Sequence, residues 1–358
     1  MKSVRVLLIA PSLDIMGGQA VQASRLFAEL QKIPQIKIGF LPVNPRAPGI
    51  IRFLQKIKYV RTLVTSALYY ASLLNRVGRY DMLHIFTPGY SAFILAPAPA
   101  ILLGKLLGKT TILNYRDGRA EDHLNRSKFA VRIIRQVDAL VAPSGFLVDV
   151  FAKFGLPARS IPNIVDLASF RFRERSRPRP MFLHNRGLEP LYNVQCTIRA
   201  FAIVQQRYPD ASLLITHDGP MRHLLETLAS DLKLRNVTFL GKVSQERTPD
   251  VYDEADIYVT SPNIDNMPGS VLECFATGLP VIATNVGGIP YIVEHDRTGL
   301  LVAPDNPQAV AGAAFRLLEE QELASKLARN AREECRKYEP RQVAQEWLSL
   351  YATLRSVK

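Results

Sequence analysis

Ser261-Pro-Asn-Ile-Asp265-Asn-Met-Pro268-Gly269-Ser270-Val-Leu-Glu273-Cys-Phe-Ala-Thr-Gly278-Leu-Pro280-Val-Ile-Ala-Thr-Asn-Val-Gly287-Gly288-Ile-Pro290 is the stretch on which the fold turns. The apolar run Ile257–Thr260 before it ends as a strand, a polar loop then carries Asp265, and a helix begins near Pro268 or Gly269. Glu273 falls one turn into that helix on the side of Gly269, because residues four apart share a face. One loop and one helical turn therefore bring together two carboxylates and a fan of backbone N–H groups. Such a set suits a ligand that has both phosphates and hydroxyls. The N–H groups and the helix dipole receive the anion, while the carboxylates accept hydrogen bonds from hydroxyls.

Outward from this point, strand-length apolar runs alternate with helical patterns along the whole chain, the signature of parallel sheets covered by helices. In the first half the expected strands are Val4–Ala10, Lys37–Val43, Met82–Phe86, Thr110–Asn114 and Ala139–Pro143. In the second they are Met181–Leu183, Ser212–Thr216, Val237–Leu240, Ile257–Thr260 and Pro280–Ala283. Ala23, Leu26, Phe27 and Leu30 give the helix after the first strand one buried face. Ala168–Pro180, rich in arginine and proline, reads as an exposed connection. The predicted organisation is α/β, with one Rossmann-like domain over 1–170 and a second over 171–340. A terminal helix over 341–358 shows Trp347, Leu350 and Leu354 on one face, able to pack on either domain and expected to return to the first.

A chain of 358 residues exceeds one ordinary domain, and its 47% hydrophobic and 22% charged residues exclude a disordered or fibrous protein. Cys196, Cys274 and Cys335 are widely spaced and odd in number, which suits neither a disulfide framework nor a metal site and points to a reducing compartment. Lys2 and Arg5 precede an apolar run too short for a signal peptide. The uncharged Thr62–Asn75 and the proline-broken Thr87–Gly104 fall short of a membrane span, so a cytoplasmic protein is expected. The net charge of +13 is uneven: residues 1–165 hold 22 Lys and Arg against 8 Asp and Glu. The first half thus predicts an anionic partner, for which nucleic acid, an anionic bilayer and a phosphorylated acceptor all qualify, or else a plain solvated basic surface.

Gly17-Gly18 stand immediately before a helix, where backbone N–H groups are available to phosphate. The pair lacks the spacing of a dinucleotide fingerprint and the Gly-Lys-Ser/Thr ending of a P-loop, which counts against an NAD enzyme or NTPase; an ordinary βα turn is the alternative.

The order of several further pieces makes the chain resemble family 4 of the retaining glycosyltransferases. These are Val141-Ala-Pro-Ser144, Ile161-Pro-Asn163-Ile-Val-Asp166, His217-Asp-Gly219-Pro220, Phe239-Leu-Gly241-Lys242-Val243 and Gly287-Gly288-Ile-Pro-Tyr-Ile-Val, besides Gly17-Gly18 and the stretch quoted first. The resemblance implies the GT-B fold, in which two Rossmann-like doubly wound domains face a central cleft. It implies a nucleotide-sugar donor, with UDP the commonplace form. It assigns Asp265 to hydroxyls of the transferred sugar and Glu273 to the nucleotide ribose. In the stretch Asn266, Met267, Pro268, Gly269 and Ser270 every residue but the proline would offer a backbone N–H group to sugar and diphosphate, Gly17 and Gly18 would close on the phosphates, Gly219 belongs to the same donor set, and the backbone around Lys242-Val243 would receive the base. No metal or other cofactor is implied, and no nucleic acid partner is expected. Retention is described as departure and attack on one face, the donor phosphate helping to deprotonate the acceptor.

The chain departs from the family pattern at three places. Asp265 stands where the family usually has Glu. In His184-Asn-Arg186-Gly-Leu-Glu-Pro-Leu-Tyr192-Asn193, Arg186 takes the place of the family's diphosphate-binding arginine with a one-residue shift, while uncharged Tyr192 stands near the usual lysine. Loss of that cation removes part of the leaving group's stabilisation unless another replaces it. Arg116 falls nearest a histidine that touches the sugar, with His123 a looser candidate. Their structural alternatives are pairing of Arg116 with Asp117 or Glu121 and a surface position for His123. His84 is read as either facing the cleft edge or packing in the core. Competing functions are a non-catalytic nucleotide-sugar binding protein and an epimerase or phosphorylase of the same fold. The acceptor is not legible.

Ile50-Ile-Arg52-Phe53-Leu54-Gln-Lys56-Ile57-Lys58-Tyr-Val60-Arg61 places Ile50, Phe53, Leu54, Ile57 and Val60 on one helical arc with Arg52 and Lys56 opposite. It reads as a covering helix with a solvated basic face or as a site for reversible, peripheral docking on an anionic membrane.

Overall fold

The structure, a computed structural model, describes residues 3–13 and 17–356, and the side chains of Ile50 and Ile51 fall outside what is described. Two six-stranded, wholly parallel sheets form its frame. The first contains β1 (Val4–Ala10), β2 (Ile36–Pro42), β3 (Met82–Thr87), β4 (Thr110–Tyr115), β5 (Ala139–Ala142) and β6 (Ala158–Ser160), in the order β2-β1-β3-β4-β5-β6. The second contains β7 (Met181–His184), β8 (Ser212–Thr216), β9 (Val237–Gly241), β10 (Ile257–Thr260), β11 (Val281–Thr284) and β12 (Leu300–Val302), in the order β12-β11-β10-β7-β8-β9. Each sheet is doubly wound. The chain leaves β1 in one direction to β2 and returns on the other side to β3; it does the same from β7 toward β9 and back to β10. Crevices at such reversals, beyond the carboxyl ends of the strands, are where open α/β sheets bind ligands.

Helices cover both faces of each sheet, and the strands are correspondingly apolar on both sides: β3, β4, β10 and β11 are buried at every residue. Ala23, Leu26 and Leu30 are buried on the helix Gly18–Gln31 with Phe27 packed beside them, as their spacing predicts. The ten strands expected are present within a residue or so at their ends. β6 and β12, three residues each at sheet edges, were not expected.

The chain divides into two compact units, 1–164 with 340–358, and 165–339. The terminal helix runs Pro340–Ser356, with Val357 outside the described residues. Its Val343, Ala344, Trp347, Leu350 and Tyr351 join the core of the first unit beside β1 and the helix Gly18–Gln31.

Ala168–Pro180 is exposed at Ala168, Ser169, Arg171, Glu174, Ser176, Arg177 and Arg179, as expected of a connection, but not throughout. Phe170 and Arg175 are buried, and Arg175 donates to the carbonyls of Ala255, Thr277, Tyr252 and Arg173 at 2.9–3.0 Å. Arg173 and Arg179 both bind Asp256, which is 2% exposed. Arg173, Arg175 and Arg179 are thus spent on backbone carbonyls and carboxylates of the second unit, which satisfies groups that would otherwise be orphaned, while Arg171 and Arg177 are exposed. The three cysteines are free and buried.

The segment expected as one amphipathic helix over 50–61 is broken. A 3-10 helix covers Gly49–Lys56, Tyr59 adopts φ 70°, and a new helix runs Val60–Val77. Phe53 and Ile57 are exposed beside exposed Arg52 and Lys56, so the arc does not separate a buried apolar face from a basic one.

Candidate functional site

The second unit's site forms at the reversal between β7 and β10. Arg186 lies two residues past the end of β7, and Asp265 lies in the loop that follows β10. Their side chains meet, Nη2 to Oδ2 2.5 Å, both largely buried at 17% and 12% exposure. Burial works against the Arg186 charge, but Asp265 more than offsets it and raises the guanidinium's pKa. The ring of Tyr192 lies under the same guanidinium, 4.2 Å from its carbon. Tyr192, in the place where a lysine was expected, thus touches the arginine through its π-face.

The loop after β10 is pinned from below. Gly288 donates to the Asp265 carbonyl at 2.9 Å, and Asn266 N–H to the Asp265 carboxylate at 2.8 Å. A Cβ on Gly287 would stand 2.1 Å from the Asp265 carbonyl oxygen, and one on Gly288 would stand 1.7 Å from that of Asn266. Only glycine permits this approach, so the pair Gly287-Gly288 serves the loop's shape. Asn266, Met267, Pro268 and Ser270 are buried around the start of the helix Gly269–Thr277, whose cap position, Pro268, supplies no side-chain bond. A helix start that no side chain caps favours an anion.

Glu273 is half-buried on the first turn. Tyr252 Oη donates to it at 3.0 Å and itself accepts from Asn185 Nδ2 at 2.7 Å, while Tyr258 Oη donates to Ser270 Oγ at 2.8 Å. Burial and the Glu273 charge push the Tyr252 phenol well up, keeping it a donor. Tyr252 and Tyr258, which the sequence did not single out, therefore orient this turn; their place on the strand β10 and the helix before it gave no signal.

Gly219 owes its identity to packing: a Cβ there would meet the Leu188 carbonyl oxygen at 2.4 Å. Lys242 is exposed and Val243 half-buried just beyond β9. Among the described residues no group of three His, Cys, Asp or Glu side chains could hold a metal ion.

The remaining predicted residues belong to the first unit. Gly17 and Gly18 are exposed at the start of the helix Gly18–Gln31, and a Cβ on either would meet nothing within 4 Å; Asp14, Ile15 and Met16 of the same loop fall outside the described residues. Arg116 lies just past the end of β4. It donates to the side-chain carbonyls of Asn114 and Asn163 and lies 4.9 Å over the Phe86 ring, while Asp117 binds Arg119 and Glu121 binds Lys153. Burial lowers its pKa. His123 is not a surface residue: it is 2% exposed, with Nδ1 2.8 Å from Tyr115 Oη, and burial holds its pKa down. His84 packs in the core. Its Nδ1 meets Tyr351 Oη at 2.7 Å, its Nε2 accepts from Asn114 Nδ2 at 3.2 Å, and its ring lies 4.2 Å from that of Trp347.

Residues 168–334 match the family model described as glycosyl transferases group 1. A curated relative, an uncharacterised glycosyltransferase of Methanocaldococcus jannaschii, is 33% identical over 161 residues, 44% of this chain and 41% of the relative. The chain spans about half the length of the curated relatives it matches. Among solved structures it is similar to sucrose-phosphate synthase from Thermosynechococcus elongatus, with TM-score 0.79, 20% identity, and 99% and 100% of the two chains covered. It is also similar to Anabaena HepE in complex with UDP-glucose, with TM-score 0.76, 17% identity, and 98% and 99% covered. The two-domain α/β fold is that of these GT-B proteins.

Proposed function

We propose that the chain, whose residues 168–334 carry the group 1 glycosyl transferase pattern, is a retaining glycosyltransferase of family 4 using a nucleotide-sugar donor, in UDP form. The observation that carries the reading is the Arg186–Asp265 pair at the β7–β10 reversal, beside the uncapped start of the helix Gly269–Thr277. A cation, a carboxylate and a helix start without a side-chain cap are side by side, as a ligand with both diphosphate and sugar hydroxyls requires. HepE, of the same fold, was solved with UDP-glucose, which supports the choice of donor.

In this reading Arg186 and the N–H groups of Asn266, Met267, Gly269 and Ser270 hold the diphosphate and stabilise the charge that builds on it as the bond to the sugar breaks. Asp265 accepts from sugar hydroxyls and Glu273, steadied by Tyr252, from the ribose. Gly17, Gly18 and Arg116 are assigned to the same reaction on the sequence resemblance, as are Gly219, Lys242 and Val243 to donor binding. The departing phosphate assists deprotonation of the acceptor on the same face, and no metal takes part.

The acceptor is proposed to belong to envelope glycolipid or polysaccharide synthesis, reached by peripheral docking on an anionic bilayer from the cytoplasmic side. Exposed Phe53, Ile57, Tyr59 and Leu63 alternate with exposed Arg52, Lys56, Lys58 and Arg61 on the first unit, the composition of an interfacial surface. No helix of the described residues is long and apolar enough to cross a membrane.

The deciding experiment is a panel of nucleotide sugars incubated with envelope-lipid extract, in the presence and absence of a chelator. Transfer with the anomeric configuration kept, unaffected by chelation, is expected. Tight donor binding without transfer or hydrolysis on any acceptor would favour a binding protein instead.

A further inference from the structure

β7, β8 and β9 are neighbours in one parallel sheet, with His184 paired to Ile215 and Thr216 to Gly241. One step past these ends Thr216 Oγ1 reaches Asn185 Oδ1 at 2.5 Å, so the register continues beyond the strands. The residues that follow on the three strands are Arg186, His217 and Lys242. Three basic side chains therefore start from one level at the carboxyl edge. The connections behind them are tied: Leu188 N–H donates to the Asp218 carbonyl at 3.2 Å and Met221 N–H to the Leu188 carbonyl at 3.0 Å, with Gly219 packed against Leu188.

His217 is the unexpected member. Its φ is +67°, a left-handed conformation that favours glycine and costs a side-chain-bearing residue on the order of 1 kcal/mol or more. The residue is exposed at the carboxyl edge rather than seated in the core. No ion pair of His217 or of Lys242 occurs among the described residues. The charged groups around it are Arg186 on the β7 side and Lys242 on the β9 side; Asp218, its own neighbour, turns its carboxylate to the Gly219 N–H at 2.9 Å, and Asp265 is engaged by Arg186. Resting positive charge on both sides leaves a place for negative charge.

We propose that His217 is a diphosphate-binding residue, completing with Arg186 and Lys242 an anion site that takes over the charge of the lysine replaced by Tyr192. This rests on the donor reading above and names where its missing cation comes from. Partial burial of the ring among these neighbours, and then the charges of Arg186 and Lys242, hold the His217 pKa below its ordinary 6.5, so the imidazole without a ligand is neutral at pH 7. A diphosphate between the three reverses the balance and draws a proton onto the ring, so binding should tighten as pH falls.

The test is calorimetric titration with UDP and with uridine between pH 5.5 and 8, in two buffers of different ionisation enthalpy, on the wild type, His217→Gly and His217→Gln. Glycine accepts φ +67°, so that variant should melt no lower than the wild type. The wild type should take up a proton with UDP and bind it about tenfold more tightly than either variant at pH 6, as expected for loss of one charged hydrogen bond. The gap should narrow by pH 8, and uridine should not distinguish the three proteins. Equal UDP affinity and equal proton uptake in wild type and variants would overturn the role of His217 while leaving the donor reading intact. No UDP binding by the wild type at any pH would overturn both.

Discussion

Arg186 Nη2 and Asp265 Oδ2 are 2.5 Å apart, so the cation assigned to the donor's diphosphate and the acid assigned to its sugar form one ion pair. Neither group can meet a ligand without changing what it offers the other. Removing one partner of a largely buried pair leaves the second uncompensated. Arg186→Ala should weaken UDP roughly ten- to hundredfold and lower the melting temperature. Asp265→Asn should leave UDP binding equal or tighter, because Arg186 is released. The double variant should melt higher than the sum of the single losses predicts, a coupling of about 0.5–3 kcal/mol. Strict additivity in both binding and melting would show that the contact does not couple the two roles.

Glu273 accepts a hydrogen bond from the Tyr252 phenol. Glu273→Gln can still accept from that phenol, so folding should be little affected. Its lost charge should weaken UDP and UDP-sugar alike by about tenfold, whereas Asp265→Asn should impair transfer from the sugar donor alone. The two ligands titrated into each folded variant give the answer, and identical profiles would count against distinct contacts.

How much of this was legible in the sequence depended on range. Buried parallel strands announce themselves as apolar runs, which is why β1, β8 and β10 were placed to the residue. β6, Ala-Arg-Ser at a sheet edge, has no such run and is a strand only because β5 lies beside it. The turn carrying Asp265 and Glu273 was readable because its chemistry is local. The Arg186–Asp265 contact spans strands far apart in sequence, and the break at Tyr59 is a backbone conformation that periodicity does not encode. Arg173, Arg175 and Arg179 read as solvated for the same reason: carbonyls and a carboxylate that they bind lie in residues 252–277.

Arg175 therefore yields a prediction that composition would not. It is 3% exposed and satisfies backbone carbonyls at the ends of two helices of the second unit. Arg175→Met keeps much of the volume but strands those acceptors, and should cost about 3 kcal/mol or more. Chemical denaturation should show the loss, and Arg175→Lys should recover little of it, since one ammonium does not reproduce the planar fork. A variant as stable as the wild type would mean that water satisfies the carbonyls.

Docking on a bilayer should need both kinds of residue in the exposed patch. Lys56→Glu with Lys58→Glu should abolish binding to phosphatidylglycerol vesicles, each basic group near such a surface being worth about 1 kcal/mol. Phe53→Ser with Leu63→Ser, at side chains 55% and 72% exposed, should weaken it without lowering the melting temperature. Wild-type binding should fall with salt. Equal partition of the wild type onto phosphatidylcholine and phosphatidylglycerol would sink the idea.

His84 makes the first unit acid-sensitive. Asn114 Nδ2 donates to its Nε2, so the proton sits on Nδ1 and points to Tyr351 of the terminal helix, and burial holds the ring's pKa at about 3. The unfolded chain takes up a proton near the ordinary histidine value of about 6.5, the folded one only near the depressed value. Between them the unfolded state binds more protons, so stability is full above that ordinary value and declines as pH falls below it, by up to about 1.4 kcal/mol per unit from this group. His184, likewise buried and held at about 3, adds the same tendency in the second unit. Trp347, the sole tryptophan, stacks on His84 and reports on the first unit alone. Its fluorescence melting temperature should drop between pH 6.5 and 4, and His84→Gln, which keeps an acceptor and a donor but does not titrate there, should show a clearly shallower drop. The same pH dependence in that variant would place the acid sensitivity at another group.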